Sequence, residues 1–260
     1  MLNVILFIYI IMNKMKVALC MRGAVSKTDG AFSCKNDLYS NAEYVDYNAC
    51  YNSIKKHIID SNTNNFSIDV FCHGWNVDLE TDLVIKYKPV KHKFENNSNY
   101  NDYILKLCKH KTDFGGISQA LAFKKAIELK EEYETENNMQ YDIVILYRYD
   151  VLLWKDMILN EYTNLHDTIY VNAHHNGNGD FHFVMSNRKS TVFKNLIDSI
   201  TSGNNCIVHF WIKNYILNYM NSKIKTDSIV PGVNQEAIRK IYEYSIKPNH
   251  LSIEVFNSYK

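Results

Sequence analysis

Apolar residues along this chain fall into two patterns. KVALCM (16–21), SIDVFCHGW (67–75) and DIVILY (142–147) are short, nearly continuous apolar runs. Strands of that kind belong to sheets covered on both faces, as in parallel α/β sheets. Elsewhere the apolar positions recur every three or four residues, which predicts helices. Residues 42–60 carry Tyr44, Tyr47, Tyr51, Ile54 and Ile58; residues 118–136 carry Ala122, Ala126, Leu129 and Tyr133. Residues 206–221 carry Val208, Trp211, Ile212, Tyr215, Ile216 and Tyr219. TDLVIKY (81–87) reads as a further strand, and the polar, Asn-rich stretch 91–114 as a mobile loop. Gly115-Gly116 reads as the entry to the helix, with Ser118 as its N-cap. In the second half, TIYVN (168–172) and FHFVMS (181–186) are short strands around the turn-forming HHNGNGD (174–180).

Strands alternating with helices predict an α/β domain with a mostly parallel central sheet over residues 15–260. The segment ahead of it, MLNVILFIYIIM (1–12), is apolar but shorter than the roughly 20 residues of a spanning helix. It lacks a basic lead and a small-residue cleavage site. An artefact of the start codon, a short membrane anchor and an extra buried strand all fit residues 1–14. Membrane contact through residues 1–12 therefore stays open beside a cytoplasmic location.

Lys+Arg is 29 against 28 Asp+Glu, so no overall basic excess points to nucleic acid. Asn is 31, Ile 27 and Lys 25, whereas Arg is only 4. That bias is the mark of an AT-rich coding sequence and makes surface Asn and Lys weak functional evidence. None of the six cysteines forms a C-x-x-C pair; Cys20 and Cys72 lie in apolar runs and read as buried thiols of a reducing compartment.

The chain has no phosphate-cradling G-x-x-x-x-G-K-[ST], no G-x-G-x-x-G, no G-x-S-x-G and no H-E-x-x-H. The informative stretch is YDIVILYRYDVLLW (141–154), in which an apolar strand ends on Arg148-Tyr149-Asp150. Parallel sheets bind ligands off the carboxyl ends of their strands. A carboxylate there can hold a divalent cation that neutralises a diphosphate. Arg148 can meet phosphate oxygens or pair with a carboxylate. Asp142, at the other end of the strand, is too far away to share a metal. A surface ion pair between Arg148 and Asp150 would give the same letters.

Four pieces in order resemble GT-A type nucleotide-sugar glycosyltransferases of the capsular and surface-polysaccharide kind, found in bacteria and large DNA viruses. They are KVALCMRG (16–23), IDVFCHGWN (68–76), SQALAFKKAIELKEEYE (118–134) with YDIVILYRYDVLL (141–153), and GDFHFVMSNRKSTVFKNLID (179–198). The resemblance covers about residues 16–220. It implies a GT-A-like, Rossmann-related fold and transfer of a sugar from a nucleoside diphosphate sugar to a glycan or glycoprotein hydroxyl. Asp150 matches the acid of the family's metal-binding motif, implying Mn²⁺ or Mg²⁺. Arg148 stands where a full D-x-D has an acid. Arg22 and Gly23 match the end of the first strand beside the nucleotide, and Asp180 matches the acid near the acceptor, the candidate base.

His73 and Trp75 end the second strand and either line the donor pocket or belong to the core. His174, His175 and His182 are poor zinc ligands, since neighbours in a strand face opposite ways. His250 is a weak candidate for a further metal ligand. Two rivals remain: a nucleotidyltransferase, whose basic Gly-rich loop is only weakly matched by residues 22–27, and an inactive carbohydrate-binding protein on the same fold.

Overall fold

The computed structural model describes residues 14–25, 47–110, 113–172, 179–200, 208–227, 235–237 and 257–259. The apolar segment 1–12, residues 26–46, His174, His175 and His250 lie outside the described residues.

The three continuous apolar runs form β1 (Met15–Arg22), β2 (Phe66–Gly74) and β4 (Ile143–Arg148). With β3 (Lys91–Phe94), β6 (Thr168–Val171), β7 (His182–Ser186) and β8 (Lys223–Thr226) they build a seven-stranded sheet. Its order is β3-β2-β1-β4-β7-β6-β8. Pairing is parallel from β3 to β4 and between β6 and β8. β7 runs antiparallel to both its neighbours. A small second sheet joins β5 (Val151–Leu153) to β9 (Gln235–Ala237).

Both faces of the large sheet are covered, as the unbroken apolar runs predict. Val17, Leu19 and Met21 enter one core with Ile143, Ile145 and Tyr147. Ala18 and Cys20 enter the other with Val144 and Leu146. Complete burial of a side chain such as Leu19 contributes about 1.5–3 kcal/mol. Burial also pushes the Cys20 and Cys72 thiols up to about 12, so both are inert.

Helix α1 (Tyr47–Ile54) continues through a wide π turn over Lys55–Ile59. TDLVIKY is not a strand but most of helix α2 (Glu80–Tyr87). The burial pattern explains the difference: Leu83 and Tyr87, four apart, are inside, whereas Ile85 between them is 65% exposed. Lys88 closes the helix at φ 46° with its N–H on the Val84 carbonyl. The 91–114 stretch is also more ordered than its composition predicts. It contains β3, a 3₁₀ turn (Asn97–Tyr100) and helix α3 (Asn101–Leu107).

Helix α4 (Phe114–Glu136) starts ahead of Gly115-Gly116, so the two glycines lie inside its first turn and Ser118 is not the cap. Ala120, Ala122 and Ala126 are buried and let it lie close on the sheet. Helix α5 (Asn187–Phe193) follows β7, and α6 (Val208–Asn214) packs Trp211 and Ile212 into the same core. Among the described residues, no helix is long and apolar enough to cross a membrane.

Candidate active site

Every parallel strand of β1, β2, β3 and β4 ends at the same edge of the sheet, and β7, running backwards, begins there. The chain order thus delivers Arg22 and Arg148, residues before β7 and residues after β2 to one border. In register, Arg22 sits beside Arg148.

Arg148 is the hub. Its Nε and Nη2 donate to the two oxygens of Asp150 at 2.7 and 2.5 Å, a bidentate pair. Its Nη1 donates to Asp180 Oδ2 at 2.9 Å. Burial opposes the Arg148 charge, but Asp150 and Asp180 outweigh it, and the net shift of its pKa is upward. Arg22 is only 2% exposed. Its Nη2 donates to the main-chain carbonyl of Asp180, and its guanidinium lies 3.9 Å over the Phe123 ring. Its Nε has no hydrogen-bond partner among the described residues. Burial, and then repulsion by Arg148, bring the Arg22 pKa down to about 9 against the pull of Asp180 and Asp150.

Asp180 Oδ2 takes a second donor, Gln119 Nε2 at 2.5 Å, from the first turns of α4. The approach to Asp180 is fixed by Asn172, whose Oδ1 accepts Phe181 N–H at 3.0 Å. A Cβ at Gly179 would collide with that amide, so glycine is required there for packing. Gly23, at φ 97°, turns the chain away after Arg22, and its carbonyl accepts Trp75 N–H at 3.2 Å.

Arg22, Gly23, Arg148, Asp150 and Asp180 are therefore neighbours. The side chains of His73 and Trp75 form a packed cluster at the end of β2, joined to the arginine side through that Trp75–Gly23 hydrogen bond. Their rings meet edge to face at 4.5 Å. His73 Nε2 donates to Glu95 Oε1 at 3.2 Å, and Tyr100 donates to the other Glu95 oxygen at 2.7 Å. Burial lowers the His73 pKa, with Glu95 pulling against it. Burial acts to raise the Glu95 carboxyl, but His73, Tyr100 and Lys125 outweigh it and bring it down to about 2. His182 lies under the other face, fully buried, on Asp227 at 2.8 Å and parallel to the Tyr147 ring at 6.1 Å. Tyr162 donates to the same Asp227 oxygen at 2.6 Å. Gln119, Asn172 and Phe123 carry no sequence signal that marks them, since each is a lone residue in an ordinary helix or loop.

The donor set is a poor fit to a divalent ion. Mg²⁺ needs near-octahedral oxygens at ~2.0–2.1 Å. Here Arg148 occupies both oxygens of Asp150 and one of Asp180, and would have to leave first. Among the described residues, no group of three or more His, Cys, Asp or Glu side chains could hold a metal. What the residues offer is guanidinium N–H groups for an anion. Among the described residues, Arg148 uses three of its five donors.

A cavity of about 870 Å³ opens at the opposite edge of the sheet, lined by Met15, Phe66, Asp142, Ile143, Ser186 and Arg188. None of the charged residues above lines it. The convergence of charge is the stronger guide to a polar ligand. Asp142 serves this far edge structurally, taking Lys16 N–H on Oδ2 at 2.8 Å. No protein-family model matches the chain, and no curated protein matches it either.

Proposed function

We propose that the chain is a glycosyltransferase of GT-A-like architecture, moving a sugar from a nucleoside diphosphate sugar to a glycan or glycoprotein hydroxyl. One observation carries this reading: Arg22, Arg148, Asp150 and Asp180 gather at the carboxyl edge of a largely parallel sheet, where such sheets bind ligands. The strand order, a parallel half extended by an antiparallel strand, is compatible with that architecture. In this reading the guanidiniums meet the diphosphate and offset the charge that grows on the leaving group. Asp180 is the base that takes the acceptor proton in an inverting transfer, with Arg148 and Gln119 on Oδ2 fixing its orientation.

The test is a thermal-shift panel of UDP-, GDP-, CMP- and dTDP-sugars, followed by assay of donor hydrolysis without acceptor. A true donor at 100 times its dissociation constant stabilises by about 2.7 kcal/mol. Absence of a shift with every donor rejects the reading. A second reading, an inactive sugar-binding protein, draws on the complete pairing of Asp150 with Arg148. It expects binding without release of sugar to water, whereas transferases leak.

A further inference from the structure

We propose that Arg148, backed by Arg22, takes the place of a divalent ion at this edge, so that the site holds a diphosphate through guanidinium donors alone. The identity of the ligand rests on the transferase reading; the replacement of the metal rests on the residues themselves.

Charge comes first. Asp150 and Asp180 together carry two negative charges, and both are nearly buried. The two guanidiniums supply the two positive charges that one divalent ion would bring. The carboxylates are thereby neutralised from within, and an entering cation finds no deficit to fill. Geometry agrees. The planar fork of Arg148 spans both oxygens of Asp150 and reaches Asp180 with its third N–H. It bridges the two acids as a shared metal would. A lysine ammonium is a single point charge and cannot match that fork.

Composition makes the choice pointed. Lysine outnumbers arginine 25 to 4 in this chain, yet two of the four arginines stand side by side here. Arg22 then shows what is missing. Its guanidinium is buried, donates from Nη2 to a neutral carbonyl, and keeps Nε without a hydrogen-bond partner among the described residues. Buried polar groups are nearly always satisfied. An anion seated against Arg148 would supply the acceptor for Arg22 and relieve the repulsion between the two guanidiniums. Burial first, and then the repulsion by Arg148, lowers the Arg22 pKa.

Pyrophosphate is the probe, titrated calorimetrically into the full chain in EDTA and again with Mn²⁺. The expected result is binding in EDTA, changed less than about threefold by Mn²⁺. Arg148→Ala is expected to weaken it about 10- to 100-fold, the scale of losing a hydrogen-bonded charge. Arg148→Lys keeps the charge and protects the test if the alanine variant fails to fold; it too is expected to bind at least about tenfold more weakly, because the fork is lost. Folding is checked by circular dichroism. Pyrophosphate that binds only with Mn²⁺, or wild-type affinity in a folded Arg148→Lys, overturns the replacement and leaves the transferase reading standing. Binding in neither buffer overturns both.

Discussion

At the scale of single residues, the site depends on how tightly its polar groups are aimed. Asp150 in this geometry is first a positioning residue, because it holds the Arg148 fork on two bonds. Asp150→Asn exchanges one acceptor oxygen for a donor facing a donor. Transfer should fall about 10²-fold, the scale of losing one preorganised electrostatic contact. Initial rates with whichever donor the thermal panel selects check this, and an unchanged rate removes Asp150 from the mechanism. Gly179→Ala should act on Asp180 without touching it, because the new methyl displaces the Asn172 amide that anchors Phe181 N–H. The expected signature is loss of turnover in a protein that still folds. The strand-end pair Arg148 and Asp150 was legible in the sequence, since a polar pair closing an apolar run is conspicuous. Gln119 and Asn172 were not: an isolated amide becomes informative only once the fold shows what stands opposite. Arg22 was legible as a strand end, but its burial was not.

At the scale of elements, misreadings follow from where each element lies. β3 hides in a polar stretch because it is an edge strand, and only Phe94 of its four residues is buried. Nothing on its outer side demands apolar character, so KHKF carries no period. Helix α2 carries Leu83-Val84-Ile85, which imitates a strand until the fold shows that Ile85 faces outward. Along α4, Lys130 is fully buried and pairs with Glu134 at 2.9 Å. Glu134 in turn accepts Tyr141 N–H at 2.9 Å and Asn187 Nδ2 at 2.8 Å, stapling α4 to the segments entering β4 and α5. Lys130→Met leaves a nearly buried carboxylate without its cation and should cost about 3–5 kcal/mol in urea denaturation. The β2–β3 edge has a pH signature. His73 resists protonation when folded but takes a proton near its ordinary value when unfolded, so stability falls as pH drops below that value. Glu95 stays ionised down to about 2 when folded, so its contribution, present above the ordinary carboxylate range, is lost as pH falls toward 2. Both effects destabilise in acid. Melting temperatures from pH 7 down to 3 should decline in wild type and more gently in Glu95→Gln; parallel curves would argue against the pair.

At the scale of the molecule, the both-faces-covered sheet was legible because unbroken apolar strands allow little else. The backward direction of β7 was not, since FHFVMS reads the same in either sense. Yet that reversal brings Asp180 to Arg148, and it separates the partners far along the chain. Arg22 reaches the Asp180 carbonyl across 158 residues, and β1 pairs with β4 only after β2, β3 and α4 intervene. Contacts between distant parts of a chain carry a large loop-closure entropy and form slowly. Helices close within microseconds by comparison. The anion site should accordingly be among the last parts to form as the chain leaves the denatured state. In stopped-flow refolding from urea, helical circular dichroism should recover ahead of pyrophosphate binding, and simultaneous recovery would count against this order. A chain emerging from the ribosome would then hold Arg148 on Asp150, two residues away, while Arg22 waits for the Asp180 carbonyl until the segment entering β7 has been synthesised and docked.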